Sequence, residues 1–353
     1  MQEIETYLKK KYNCIFERNK IKRAEELIEN CPKLMVRPML LAYIDDLLID
    51  ETKNYDYVYE IYNELVFKWI ERESVDNKIL YKFSEKIAEY MYYKKTIYIG
   101  SVEIENLCKD YNIQIRNIEA KSRSLLNRNK DGVYKFAHKS ILEYFLAKKA
   151  FDDVEFRKNI TLQGFDGYDM VEFFLREMSV EYLQEKLQDN PLELKSVSFE
   201  FLQLSNVSFS GINILNCDFE GCNLNKAIFS NATFKQVKLR NADLQGADLQ
   251  GADLHELILS NTDLSETYLM EINFEDVRKE KDQNNFVQIY LGEDNLCGVN
   301  LKEACLEMSV WNKSDIEYII SQLKEADFTH LMITEKNEIR QVDRGELFNS
   351  NFE

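Results

Sequence analysis

"NADLQGADLQGADLHEL", residues 241–257, is the stretch whose reading decides the fold. A large apolar residue returns at every fifth position, Leu244, Leu249 and Leu254, and a small one stands two places before each, Ala242, Ala247 and Ala252. Followed toward the N-terminus, the large slot is held by Leu239, Phe234, Phe229, Leu224, Phe219 and Ile214, then by Phe209, Leu204 and Phe199. Toward the C-terminus it is held by Leu259, Leu264, Leu269 and Phe274. Sixteen consecutive units thus run from Val197 to Phe274 without a miss. The slots between are mostly Asn, Asp, Ser, Gln, Glu and Lys.

A period of five fits neither a helix, which repeats at about 3.6 residues, nor a half-buried strand, which repeats at 2. It fits a chain that turns a corner every five residues and keeps two residues of each side facing one axis. Four sides close a coil of twenty residues, and coils stacked at the strand spacing of about 4.8 Å make a rod of roughly 19 Å from four of them. One coil alone has no core, so the pattern is buried only by stacking.

These residues resemble the pentapeptide-repeat family, whose motif is A(D/N)LXX. The resemblance covers about 80 residues and implies a right-handed quadrilateral β-helix. Leu202, Ile212, Leu257 and Ile272 put bulk at the small slot, where locally swollen coils are expected. The repeat carries no catalytic machinery and reads as a rigid scaffold or binding surface.

With 353 residues, 45% of them hydrophobic, the chain has material for two or three domains with real cores. Three prolines and eleven glycines argue against long unstructured linkers. The net charge of −17 is uneven. Residues 1–150 hold 27 Lys and Arg against 24 Asp and Glu, a balance of +3, and residues 151–353 hold 18 against 38, a balance of −20. An acidic half is a poor ligand for nucleic acid, whose binding needs cations against phosphate. It suits a basic groove on a partner protein, and it also serves solubility.

Seven cysteines with no paired metal-ligand spacing, two of them (Cys217 and Cys222) at the small inward slot, fit core thiols in a reducing cytosol. The start lacks an apolar leader, and no window reaches the 18 or so apolar residues of a membrane span. The expectation is a cytoplasmic protein.

Residues 2–29 read as two short helices, the second from Lys20 to Glu29. Pro38 fits the first turn of a helix lined by Leu40, Leu41, Ile44, Leu47 and Leu48. Tyr57–Ile70 and Ile79–Met91 are amphipathic, the second burying Leu80, Phe83, Ile87 and Tyr90. A short helix near Val102–Tyr111, another near Ile115–Asn127, a turn at Asp131-Gly132 and a strand from Val133 to Ala137 follow the order of a winged helix. Arg116, Lys121, Arg123, Arg128, Lys130 and Lys135 make DNA binding a reading to weigh, against interleaved apolar residues and the acidic half. In "FAHKSILEYFLAKKAF", Ser140 and Glu143 have the spacing of a capping box. A helix is expected to start at Ser140, with Ile141, Phe145 and Ala147 on its packed side and His138 just ahead of it, where orphan N–H groups favour an anion.

Taken with "VRPMLLAYI" upstream, residues 2–150 resemble the C-terminal part of a NACHT-type (STAND) signal-transducing NTPase, a helical domain followed by a winged helix. The resemblance implies that Pro38 packs beside a nucleotide base and that His138 touches its phosphates. A histidine that merely caps a helix accounts for the same position. The family's P-loop and Mg-binding acids are absent from this sequence. ATP or ADP with Mg²⁺ is therefore expected only if a missing NTPase core is supplied, by a split gene, a longer reading or a partner, and the chain alone is expected not to be an enzyme.

"YDMVEFFLREM" and "SVEYLQEKLQ" read as two helices, with Pro191 marking the change to the coil and an apolar helix expected over its first turn. After Phe274 the beat lapses, resuming at Val299/Leu301 and Ala304/Leu306. A helix capped by Ser314 with Glu317 and a hairpin, Phe328–Thr334 with Glu338–Val342, close the chain. His255 and His330 have no ligand partners in the sequence pattern.

The fold class is multidomain α + β. A helical region spans 1–98, a winged-helix-like region 99–150, a helical linker 151–194, the coil 195–308 with an insertion at about 277–295, and a small α+β cap 309–353. Three functions follow. The first is the regulatory or interaction portion of a NACHT-like NTPase in bacterial antiphage defence. Its β-helix would serve as sensor or docking arm for a protein partner, a P-loop core or another copy of the chain. The second is a DNA mimic acting on a topoisomerase. The third is a winged-helix DNA-binding regulator, whose binding would weaken steeply with salt.

Overall fold

Every fifth residue of the repeat takes a left-handed backbone, and that places the corners. Phe201, Asn206, Gly211, Asn216, Gly221, Lys226, Asn231, Gln236, Asn241, Gly246 and Gly251 all have φ between 52° and 70°. Each lies two places after a large inward residue. At most sides a β-turn closes there: the N–H of Leu202 donates to the carbonyl of Phe199 at 3.0 Å, and that of Ala247 to Leu244 at 2.9 Å. A positive φ at the third residue of such a turn is the condition that Gly and Asn meet best.

The computed structural model describes residues 2–12, 17–30, 43–48, 53, 55–73, 75–113, 125–255, 262–264, 267, 310–312, 332–335, 338–341 and 345. They form two compact units, 1–152 with 165–177, and 153–164 with 178–353.

In the first unit, α1 (Gln2–Lys11), α2 (Arg18–Asn30) and the single turn α3 (Ile44–Leu47) precede α4 (Val58–Glu71), α5 (Asn77–Tyr93) and α6 (Ser101–Asp110). A hairpin of β1 (Leu126–Arg128) and β2 (Tyr134–Phe136) leads into α7 (Lys139–Asp152). That last helix is the unit's centre. Ser140 to Ala147 are all buried, and so is Ala150, so it packs on nearly every side rather than on the one face expected. Tyr144 lies edge-on to Phe145 and Phe174.

Several expectations need correction. On α5 the buried partner of Leu80, Phe83 and Ile87 is Met91, which is fully buried, while Tyr90 is half-exposed. Leu126 and Asn127 are strand, not the end of a helix; residues 114–124 lie outside the described residues. The two helices read over 168–188 are one, α9 (Asp169–Leu187). The helix α8 (Val154–Gln163) falls within the helical linker expected over 151–194, though no stretch of it was singled out.

In the second unit, β3 (Glu193–Lys195), β4 (Asn213–Leu215), β5 (Thr233–Lys235) and β6 (Asp253–His255) pair in parallel, Leu194 to Ile214 to Phe234 to Leu254. The register of twenty residues means four pentapeptides per coil, and it holds beside Leu202 and Ile212 (Gln203↔Asn223, Asn213↔Thr233). Inside, Phe199 stacks on Phe219 at 4.8 Å between ring centres and Phe209 on Phe229 at 4.7 Å. Phe199, Leu204, Phe209, Phe219, Leu224, Phe229, Phe234, Leu239, Leu244, Leu249 and Leu264 are all buried. Leu254 is placed by its strand pairing, and Leu259, Leu269 and Phe274 lie outside the described residues.

Helical segments cover the first coil, as expected, because the top of a stacked sheet leaves a row of unpaired backbone groups. Arg157 on α8 donates from Nε to the carbonyl of Glu200 at 2.7 Å. The N–H of Gln203 donates to Ser179 Oγ at 3.2 Å, and Tyr182 meets Phe199 edge-on. Beyond the coil, β7 (Val310–Asn312) pairs in parallel with β8 (Met332–Glu335), which forms the expected hairpin with β9 (Glu338–Gln341). The insertion and the helix at Ser314 fall outside the described residues. No helix among the described residues is long and apolar enough to cross a membrane.

Candidate functional site: the His138 cluster and the outer faces of the coil

Pro38 lies outside the described residues, so only one of the two residues singled out for a nucleotide can be placed. His138 precedes the first residue of α7 and is exposed. Its Nδ1 accepts from the N–H of Ser140 at 3.1 Å and lies 2.6 Å from Ser140 Oγ. Tyr62 on α4 donates its hydroxyl to that same Oγ at 2.9 Å. Accepting from the Ser140 N–H leaves Nδ1 without a proton, so the Ser140 hydroxyl is the donor in its contact with Nδ1 while it accepts from Tyr62. The neutral ring then carries its proton on Nε2.

The imidazole, not Ser140, is therefore the cap of α7, and the expected capping box is replaced. Ser140 is the second residue of the helix, and Glu143 is buried, 3.5 Å from Lys139 Nζ. Tyr62 was missed by the sequence reading. It stands 78 residues from Ser140, and nothing local marks the pairing.

The outer faces of the coil are built by the register. Side chains twenty residues apart stack in columns and bond along them. Asn223 Nδ2 donates to Gln203 Oε1 at 2.9 Å, Asn225 Nδ2 to Gln245 Oε1 at 3.3 Å, and Lys238 pairs with Asp218 at 2.7 Å. Asp218, Asn223, Asp243 and Asp248 each accept from the backbone N–H two residues on, which fixes the side chain against its own corner. Burial raises the pKa of Asp243, and Asp263 one coil below adds to the rise.

Charge on this surface is mixed. Residues 192–274 hold eleven Asp and Glu against five Lys and Arg, and four of those cations, Lys226, Lys235, Lys238 and Arg240, fall within one coil's length. Inside, burial pushes the thiols of Cys217 and Cys222 up, as suits core positions rather than reactive ones. Among the described residues no group of three or more His, Cys, Asp and Glu side chains could hold a metal ion.

Residues 192–274 match the family model described as pentapeptide repeat region. Among solved structures the chain is similar to a pentapeptide repeat protein of the Arabidopsis thaliana thylakoid lumen, at 21% identity over 37% of this chain and 75% of that one, with a TM-score of 0.25. It is similar to QnrB1, a plasmid-mediated fluoroquinolone resistance protein, at 19% identity over 34% of this chain and 54% of that one, with a TM-score of 0.19. It is also similar to HetL, a pentapeptide repeat protein involved in heterocyst differentiation regulation in the cyanobacterium Nostoc sp. strain PCC 7120, at 22% identity, 39% and 62% coverage and a TM-score of 0.18. The chain spans 54% to 75% of the length of these three structures. No curated protein matches it. The C-terminal part thus contains a pentapeptide repeat region with a β-helix-like fold, preceded by a helical region.

Proposed function

We propose that the chain is the non-catalytic, regulatory part of a NACHT-like signalling NTPase of the cytoplasm, acting in bacterial antiphage defence, with a right-handed quadrilateral coil as its docking arm for a protein partner. The observation that carries the docking role is the outer surface of the coil. Short polar side chains are held in columns by bonds such as Asn223–Gln203 over a filled core. A surface of that kind loses little side-chain freedom when it is covered, which favours recognition.

The order of helices, winged hairpin and His138 supports the NACHT-like part of the reading. In it, ATP or ADP with Mg²⁺ is bound by a P-loop core outside this sequence, and His138, held by Ser140 and Tyr62, contacts the phosphates. The test is reconstitution. The chain should co-purify with a P-loop NTPase core, and ADP should raise the melting temperature of the complex less in His138→Ala than in the wild type. If no P-loop protein binds and neither nucleotide moves the melting curve, the reading fails.

A second reading, DNA mimicry directed at a topoisomerase, is favoured by the −20 balance of residues 151–353. The cations at 226–240 interrupt the acidic surface such mimicry needs. A gyrase supercoiling assay unaffected by the purified protein would remove it.

A further inference from the structure

At the C-terminal end of α5 the first unit exposes large apolar side chains where a solvated helix end is normally polar. Tyr93 is 52% exposed, Tyr98 46% and Val102 66%, with Ile97 between them at 39%. All four fall within ten residues, and the backbone beneath them is fixed. Ile99 exchanges both of its hydrogen bonds with Tyr134 of β2 at 2.9 Å. Clusters of this kind mark interaction sites more often than isolated exposed residues do.

Lys94 and Lys95 stand inside the cluster. Two of the three lysines of α5 are matched by acids, Lys82 by Glu85 at 2.8 Å and Lys86 by Glu89 at 3.0 Å. Among the described residues neither Lys94 nor Lys95 has an ion-pair partner. Lys95 also occupies the left-handed position that ends the helix, at φ 51°, with the N–H of Thr96 donating to the carbonyl of Met91 at 3.0 Å. Gly or Asn is least strained there. The equivalent position after α6 is indeed Asn112, at φ 54°. A lysine kept at a strained corner beside exposed tyrosines points to a use for its charge.

We infer that Tyr93, Lys94, Lys95, Ile97, Tyr98 and Val102 form a docking surface for the acidic half of a second copy of this chain. Charge complementarity selects the occupant. Lys94 and Lys95 give the surface two exposed cations, with Glu103 and Glu105 at its Val102 edge, and it belongs to a half with a balance of +3, while residues 151–353 carry −20. A second copy supplies that charge at the same concentration as the surface itself. Two lysines are few for a nucleic-acid site, whose affinity rests on many phosphate contacts, and they draw a chain to an anionic membrane by only a weak increment. The contact is head-to-tail, patch to a different region, and its six residues are far fewer than the roughly 20–30 a side of a standard stable interface. Association is therefore weak and sensitive to salt.

Sedimentation velocity of the full chain tests this, at about 10 mM and about 100 mM salt, where the screening length falls from roughly 30 to 10 Å. At low salt and tens of micromolar protein the mean mass should rise above 41.8 kDa, and it should return toward that value at the higher salt. The Lys94→Glu/Lys95→Glu and Tyr93→Ser/Tyr98→Ser variants, with circular dichroism unchanged, should each associate at least about tenfold more weakly. A wild type that stays monomeric at low salt, or associates equally at both salts, overturns the inference. So do variants that associate like the wild type, and a monomeric chain that binds phosphatidylserine vesicles.

Discussion

The corner residues show how a single dihedral angle sorts side chains by cost. An L-residue in the left-handed region costs about 1–2 kcal/mol relative to its ordinary conformation, and glycine escapes most of that. Gln236, at φ 56° and exposed, occupies a corner of the kind that Gly246 and Gly251 fill two and three units later. Gln236→Gly should therefore stabilise the coil by about 0.5 kcal/mol, once the extra freedom of glycine in the unfolded chain is subtracted. Gly246→Ala should destabilise it by about 1 kcal/mol through the dihedral alone, because an added Cβ meets only the flexible Lys226 side chain, Cγ at 3.4 Å and Cε at 3.9 Å. Urea denaturation of the pair checks both signs. Asp243 supplies a test in pH. Burial and Asp263 raise its folded pKa above the unfolded value, so its ionised form opposes folding above the folded pKa, and that cost vanishes as pH falls below the unfolded value. Asn keeps the bond to the backbone N–H, as Asn223 does one coil above. Asp243→Asn should then gain a few tenths of a kcal/mol at neutral pH, the partly exposed site being screened by solvent, and the gain should disappear in acid near the ordinary aspartate range. A gain that grows in acid would contradict the assignment.

At the scale of elements, legibility tracked how local the decisive contact was. The five-residue beat needs only the chain's own register, so the coil could be read from Val197 to Leu254, and the two strongest stripes, Val58–Glu71 and Asn77–Tyr93, were placed within two residues. What escaped depends on partners far along the chain. The break read between Met178 and Ser179 is not there: Ser179 sits inside α9 and its hydroxyl receives the N–H of Gln203. The cap at His138 was one of the two readings of that residue, but its support from Tyr62, 78 residues from Ser140, has no local mark. The α8 helix has few buried apolar residues, Phe156 and Ile160 among them, and its buried Arg157 has no sequence signal at all. That arginine satisfies the carbonyl of Glu200 at the end of the stack that the helical segments cover. Arg157→Ala leaves a carbonyl unpaired and should cost about 2–3 kcal/mol, the range for a bond to a charged group. Guanidinium melts checked against Arg157→Lys separate the lost bond from the lost packing. An alanine variant as stable as the wild type would show that the end of the coil needs no such partner.

For the whole molecule, two units with separate cores imply two unfolding events. The first is organised around the all-round burial of α7, the second around stacked rings such as Phe199 on Phe219. Their cooperativity differs in origin. Helices that meet around one central helix gain or lose their contacts together. Stacked coils add stability through nearest-neighbour interfaces, so a defect in one coil weakens its neighbours first. Helix α9 is the one element whose residues are divided between the units, up to Glu177 in the first and from Met178 in the second. The backbone passes between the units at 152/153, 164/165 and 177/178, but only the last passage lies inside a helix, and one helix is a small part of either core. Phe219→Ala removes a fully buried ring from the second unit and should cost about 3–5 kcal/mol there. In scanning calorimetry the wild type should show two transitions, and the variant should lower the temperature of one while leaving the other in place. Near-ultraviolet circular dichroism in a Trp311→Phe background identifies the one that stays, because the remaining tryptophan, Trp69, is buried in the first unit while Trp311 belongs to the second. A single transition that moves as a whole would mean that the two cores fold as one cooperative body, and the division into units would have to be abandoned.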